Sequence, residues 1–200
     1  MFIKKNLDKY FIPLMKKIFL FIFIIFNFHS ISLCENFKLK KIVSLKKPWG
    51  STFVSDYELL VTEKFGKIKL IDLRNANVSY IYHNIDYLVD GQGGLLDILY
   101  KDNNIFVSYS ENRGSGKTST SITKGKFDRK KILFKNIFRA EPPIKSGYHF
   151  GSRLTIKDNY LFASVGERGK GMIAQNTSKH PGSIIRIHLD GSIPKDNPKF

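Results

Sequence analysis

His149 is the residue of this chain best placed by its neighbours to move a proton. It stands in Gly147-Tyr-His-Phe-Gly-Ser-Arg-Leu154, a loop flanked by glycines. The ordinary pKa of an imidazole lies close to neutrality, so such a group can take up a proton and release it again. A loop histidine is otherwise a hydrogen-bonding partner of its neighbours, so its meaning depends on the rest of the chain. A second stretch, Gly114-Ser-Gly-Lys-Thr118, imitates a phosphate-binding loop. That loop requires a glycine five positions before Gly116, where Glu111 stands, and a helix after it. The polar, β-branched run from Thr118 to Thr123 predicts a strand instead, with a flexible hairpin loop before it.

The elements that must carry His149 are short and alternate with period two. Thr52–Val54, Leu59–Thr62, Lys67–Ile71 and Val78–Tyr82 predict successive strands, with turns at Ser55–Tyr57 and Lys64–Gly66. Ile42–Lys46 alternates in the same way ahead of Pro48-Trp-Gly50. The arrangement then recurs. Gly94–Tyr100, a turn at Lys101–Asn104 and Ile105–Ser110 form a second copy, followed by strands at Thr118–Phe127 and Lys131–Phe134. Ser152–Ile156, Lys157–Asn159 and Tyr160–Val165 form a third, followed by Ser183–Leu189 and the turn signal Asp190-Gly191. In each copy the second strand ends near Thr or Ser. Val61 lies 46 residues before Val107, and Val107 lies 56 before Ala163. A repeat of that size built from short strands predicts an all-β fold, a β-propeller of four-stranded antiparallel blades that share cores by stacking around an axis. A β-sandwich is the competing architecture, and the self-similarity favours the propeller.

The first 34 residues read as an export signal. Lys4, Lys5, Lys9, Lys16 and Lys17 precede the apolar run Ile18–Phe28, and Ser30-Ile-Ser-Leu-Cys34 supplies a small-residue cleavage site before Glu35. The run is short for a span of about 20 residues, although Phe11–Met15 would lengthen it into a retained anchor. Leu33 argues against a lipid on Cys34. Cleavage removes the only cysteine, which excludes disulfides and thiol chemistry from the mature chain and points to a periplasmic or secreted protein. The signal carries +4 of the formal net charge of +16, leaving +12. That excess is lysine scattered among Ile, Asn and Phe, with no basic-aromatic stripe, so nucleic acid is not an expected partner. A membrane enters only through an uncleaved signal. No His/Asp/Glu set stands at metal-binding spacing, so no metal ligand is assigned and a metal hydrolase has little support.

Several stretches, taken in order, resemble one family. They are Pro48-Trp-Gly50 with Leu60-Val-Thr-Glu63, Asp90-Gly-Gln-Gly-Gly-Leu-Leu-Asp97, His149-Phe-Gly-Ser-Arg-Leu154, Gly166-Glu-Arg-Gly169 leading to Ala174-Gln175, His180-Pro-Gly-Ser-Ile-Ile-Arg186 and Asp190-Gly-Ser-Ile-Pro-Lys-Asp-Asn-Pro198. Together they resemble the soluble glucose/sorbosone dehydrogenases, or aldose sugar dehydrogenases, over residues 37–200. The resemblance implies a six-bladed propeller, of which residues 35–200 are the amino-terminal half with about three blades. It implies oxidation of an aldose or related alcohol by pyrroloquinoline quinone (PQQ), with calcium, and with an electron acceptor that these residues do not identify. His149 then corresponds to the general base, which takes the hydroxyl proton as hydride leaves the same carbon. Gln92 corresponds to a pocket glutamine whose amide can both donate and accept. Gln175 is a third pocket candidate. Arg153 either faces the pocket or forms a blade-to-blade ion pair. Glu167 and Arg168 are expected to brace their own turn, and Trp49 to be propeller core. Tyr148 stands where the resemblance implies glycine or aspartate, and Ser183 where it implies lysine.

The groups that grip PQQ and calcium belong, by the same resemblance, to the family's second half and have no counterpart here. The isolated chain is therefore expected not to turn over sugar even with PQQ and Ca²⁺ supplied. The competing function is a non-catalytic exported propeller-type module that binds a glycan or a protein through its loops.

Overall fold

The computed structural model describes residues 37–198, and the expected signal peptide at 1–34 lies outside them. The described chain is built from three sheets. The first holds β1 (Pro48–Phe53), β2 (Glu58–Glu63), β3 (Lys67–Asp72) and β4 (Asn77–His83), paired antiparallel in that order. The second holds β5 (Leu95–Lys101), β6 (Asn104–Asn112), β7 (Thr118–Lys126) and β9 (Lys135–Arg139). The two-residue β8 (Lys131–Ile132) leaves that order and pairs in parallel with the edge of β4. The third sheet holds β10 (Gly151–Lys157), β11 (Tyr160–Val165) and β12 (Ile184–His188). These are successive blades of a β-propeller, the fold the repeat predicts.

Three local readings are corrected. The strand expected at Lys131–Phe134 is only the β8 bridge, and the outer strand of the second blade is β9, whose alternation is weakened by Lys135 and Asn136. The alternation at Ile42–Lys46 forms no strand. The blades are not uniformly four-stranded, since β8 makes the first sheet five-stranded and the third has three strands among the described residues. The polar loop Gly114–Lys117 is a hairpin between β6 and β7, closed by bonds between Arg113 and Lys117 and between Lys117 and Gly114, and a strand rather than a helix follows it.

Two apolar layers hold the blades together. Leu60, Ile68, Leu70 and Ile81 of the first blade meet Leu95, Ile98, Ile105 and Val107 of the second. Phe106 and Ile122 turn the other way, onto Leu154, Leu161, Ala163 and Ile187 of the third. Period-two geometry explains how β6 serves both layers, because Ile105 and Val107 point to one face and Phe106 to the other.

The recurring Thr or Ser near the end of each second strand has a structural cause. Every innermost strand breaks register once, between Pro48 and Ser51, between Leu95 and Ile98, and between Gly151 and Leu154. A bulge leaves a backbone N–H without its ladder partner. The hydroxyl of the next strand accepts it: Thr62 from Gly50 at 3.0 Å, Ser108 from Asp97 at 2.9 Å and Ser164 from Arg153 at 3.1 Å. Two of the hairpins beyond these bulges turn through consecutive left-handed residues, Asp102-Asn103 and Asp158-Asn159, types that tolerate positive φ.

Candidate active site

His149 is held in a left-handed backbone conformation, φ 48°, in the loop between β9 and β10. Three loops converge on it. The first, between β4 and β5, carries Gln92, whose side-chain Oε1 accepts the backbone N–H of His149 at 2.8 Å. The same loop is clasped from the other side, because the Gln92 backbone N–H donates to the Gly147 carbonyl at 2.7 Å. This approach demands glycine at Gly91, where a Cβ would stand 2.4 Å from the Gly147 oxygen. The second contributing loop follows β11. A Cβ at Gly166 would lie 1.8 Å from the His149 carbonyl oxygen, and the missing side chain lets Glu167 come alongside the imidazole.

The imidazole Nδ1–H of His149 donates to the Glu167 carboxylate. This bond holds the carboxyl below its usual range, with the backbone N–H of Gly169 assisting at 3.1 Å. Glu167 therefore stays ionised at neutral pH and favours the tautomer with its proton on Nδ1. The other ring nitrogen, Nε2, is left as an acceptor, and the His149 side chain is 54% exposed. A left-handed non-glycine residue is a strained one, and such strain persists where surrounding contacts over-determine it. Here the contacts are the Gln92 amide on its N–H and the backbone N–H of Arg168 on its carbonyl.

Beneath this rim lies Arg168, only 2% exposed. Its guanidinium stacks 3.6 Å from the ring centroid of Phe150. It donates to the Tyr148 carbonyl at 2.9 Å, to the Thr118 carbonyl at 3.0 Å and hydroxyl at 2.8 Å, and to the Ser146 carbonyl. Burial lowers its pKa to about 10, and it remains a cation at neutral pH. The expectation that Glu167 and Arg168 brace their own turn is thus too local. Glu167 does cap Gly169, but its main partner is His149, and Arg168 ties the site to β7 of the neighbouring blade. The signal was visible as a charged pair bracketed by glycines. The pairing was hidden because the intervening β10–β11 hairpin places residues 18 apart in sequence side by side.

The remaining candidates lie elsewhere. Arg153 makes the blade-to-blade pair: its Nη1 donates to Asp97 Oδ1 at 3.0 Å, while its guanidinium lies 5.0 Å from the Trp49 ring centroid. Trp49 is accordingly half-buried under that cation and is not interior core. Gln175 is exposed at the end of a short 3₁₀ turn, Gly171–Gln175, and no hydrogen bond among the described residues joins it to His149 or Gln92. Lys64, which was not anticipated, donates its ammonium to the Gly91 carbonyl and places a positive charge beside the Gln92 loop. Ser183 donates its hydroxyl to the His180 carbonyl, a local bond that fits its turn.

Residues 45–200 match the family described as Glucose / Sorbosone dehydrogenase. The chain is 32% identical over 164 residues to the aldose sugar dehydrogenase YliI of Escherichia coli K12, covering 77% of the chain and 44% of the relative. It is 27% identical over 201 residues to quinoprotein glucose dehydrogenase B of Acinetobacter calcoaceticus, covering 83% of the chain and 42% of that protein. The crystal structure of the soluble aldose sugar dehydrogenase of Escherichia coli in its apo form superposes with a TM-score of 0.73 at 32% identity, over 77% of this chain and 48% of that one. The chain therefore spans less than half the length of these relatives. With the matched blades, the ordered motifs and the family match extending over the same residues, this chain belongs to the glucose/sorbosone dehydrogenase family.

Proposed function

We propose that this chain supplies the proton-abstracting side of a PQQ-dependent dehydrogenase that oxidises aldose sugars, or related alcohols, to lactones. The observation that carries the reading is the His149–Glu167 pair, a half-exposed, carboxylate-oriented imidazole whose second nitrogen has no hydrogen-bond partner among the described residues. A hydroxyl proton of the substrate passes to His149 Nε2. The positive charge that develops on the ring is met by the ionised Glu167 at Nδ1. Gln92 uses its carbonyl oxygen to hold the His149 backbone, so its amide N–H groups remain to donate to a sugar oxygen. A general base in this position contributes about 10²–10⁴-fold to rate.

PQQ in this role rests on the family resemblance and on the quinoprotein name of the Acinetobacter relative. The residues present fit one side of an anionic quinone, because the rim offers amide donors from Gln92 and the nearby cation Lys64. The chemistry that a bound quinone supplies is acceptance of the hydride, while this chain orients the hydroxyl and holds its proton. Calcium follows from the resemblance alone. Export to the periplasm or beyond follows from the signal-like first 34 residues.

The test is replacement of His149 by Asn in a protein of the relatives' full length, assayed with an artificial dye acceptor, PQQ and Ca²⁺. Oxidation should be abolished with the circular-dichroism spectrum intact. Unchanged turnover would favour the glycan- or protein-binding module instead.

A further inference from the structure

We propose that Tyr148 is a specificity-determining residue, a stacking platform for the second sugar ring of a disaccharide or oligosaccharide whose reducing end sits at His149. The inference rests on the sugar-oxidising reading above and deepens it. Tyr148 is 61% exposed, although a large aromatic gains by burial, and it stands immediately beside the proposed base. Its ring meets the imidazole edge-on, with centroids 6.1 Å apart and planes at 65°. The phenol therefore stands beside the imidazole, tilted against it, with most of its surface exposed.

Its backbone is fixed at both ends. The Tyr148 N–H donates to Ser146 Oγ at 3.2 Å, and its carbonyl accepts from the buried Arg168 guanidinium at 2.9 Å. Gly169, at φ 70°, passes beside it, where a Cβ would make only ordinary contact at 3.7 Å from the tyrosine Cβ. The ring is thus an exposed aromatic on a rigid mount. Aromatic rings with a polar tip suit a sugar, whose C–H face packs on the ring while a hydroxyl finds the phenol oxygen. With the Tyr148 and His149 ring centroids only 6.1 Å apart, the glycosidic neighbour of a pyranose held at His149 is within reach of this ring. A free monosaccharide leaves the ring uncovered.

Saturation-transfer NMR on a protein of the relatives' full length that carries this chain separates this proposal from the reading beneath it. With maltose, the wild type is expected to saturate protons of both rings, and with D-glucose those of its single ring. Tyr148→Ala should lose the non-reducing-ring signals of maltose while keeping those of the reducing ring and of D-glucose. Tyr148→Phe should retain them. Non-reducing-ring signals that persist unchanged in Tyr148→Ala overturn the platform and leave the sugar-binding site standing. A full-length wild-type protein that saturates neither sugar overturns the sugar reading itself and the platform with it. Because the side chain is exposed, the amide spectrum should stay dispersed in both variants, which excludes unfolding as the cause of a lost signal.

Discussion

At the scale of single residues, the carboxylate of Glu167 sets what His149 can do. Glu167→Gln keeps a hydrogen-bond acceptor near Nδ1 but removes the charge that meets the protonated ring. In a full-length protein it should lower kcat by about 10²-fold, on the scale of what a general base contributes. Steady-state kinetics distinguish loss of the orienting carboxylate from loss of the fold: the fall should lie in kcat, with the circular-dichroism spectrum unchanged. Ser152 offers the opposite case, a residue whose conformation costs stability. Its φ is 83°, it is fully buried, and its hydroxyl has no hydrogen-bond partner among the described residues. A side chain in left-handed space costs about 1–2 kcal/mol, partly offset by the freedom a glycine would lose on folding. Ser152→Gly should therefore raise stability by roughly 0.5–1 kcal/mol, read as a higher melting temperature.

At the scale of elements, the bulged inner strands place the polar groups on which the blades meet. Asp97, 3% exposed, lies in the β5 bulge and accepts from the Leu154 backbone at 2.8 Å and from Arg153 at 3.0 Å, so it joins the second blade to the third. A Cβ on Gly50 of β1 would lie 2.7 Å from the same carboxylate, which brings the first blade to this point as well. Asp97→Ala strands a buried N–H and should cost about 2–3 kcal/mol in urea unfolding. Arg153→Met should cost at most about 1 kcal/mol, because that side of the ion pair is 67% exposed and screened by water. The difference between these two variants checks whether the junction depends on the buried backbone contact or on the surface charge.

For the whole molecule, the described acidic groups with shifted titration point the same way. Bonds from Arg129 hold Glu58 below the ordinary 4.5, and bonds from Arg74 hold Asp72 at about 2. Burial pushes Glu63 upward, but Lys69 and the Lys46 N–H outweigh it and leave it lowered. Burial also lowers His83 below 6.5. A folded value below the unfolded one means that the unfolded chain binds more protons, so the stability is present above the unfolded value and lost as pH falls through the folded one. Stability should be greatest near neutrality, begin to fall below about pH 6.5 as His83 is forced to charge, and drop further below the carboxylate range. Melting temperatures measured from pH 7 to pH 3 check this, and a flat profile would contradict it.

Much of this arrangement follows from the amino-acid sequence alone. Period-two patterning, Asp-Asn turns and the spacing of 46 and 56 residues suffice for three copies of one strand module, because strand alternation and hairpin turns are local properties. His149 stood out for the same reason, being an ionisable group between glycines. What needed the tertiary structure was anything that depends on which chain passes beside which. Lys131–Ile132 took a parallel partner from the preceding blade, and Trp49 came to lie under a guanidinium from the third. Gln92, His149 and Glu167 met only because three loops from different blades converge, with Gly91 and Gly166 removing the side chains that would hold them apart. Contacts of that kind are set by stacking of the blades, and no periodicity within a single strand encodes them.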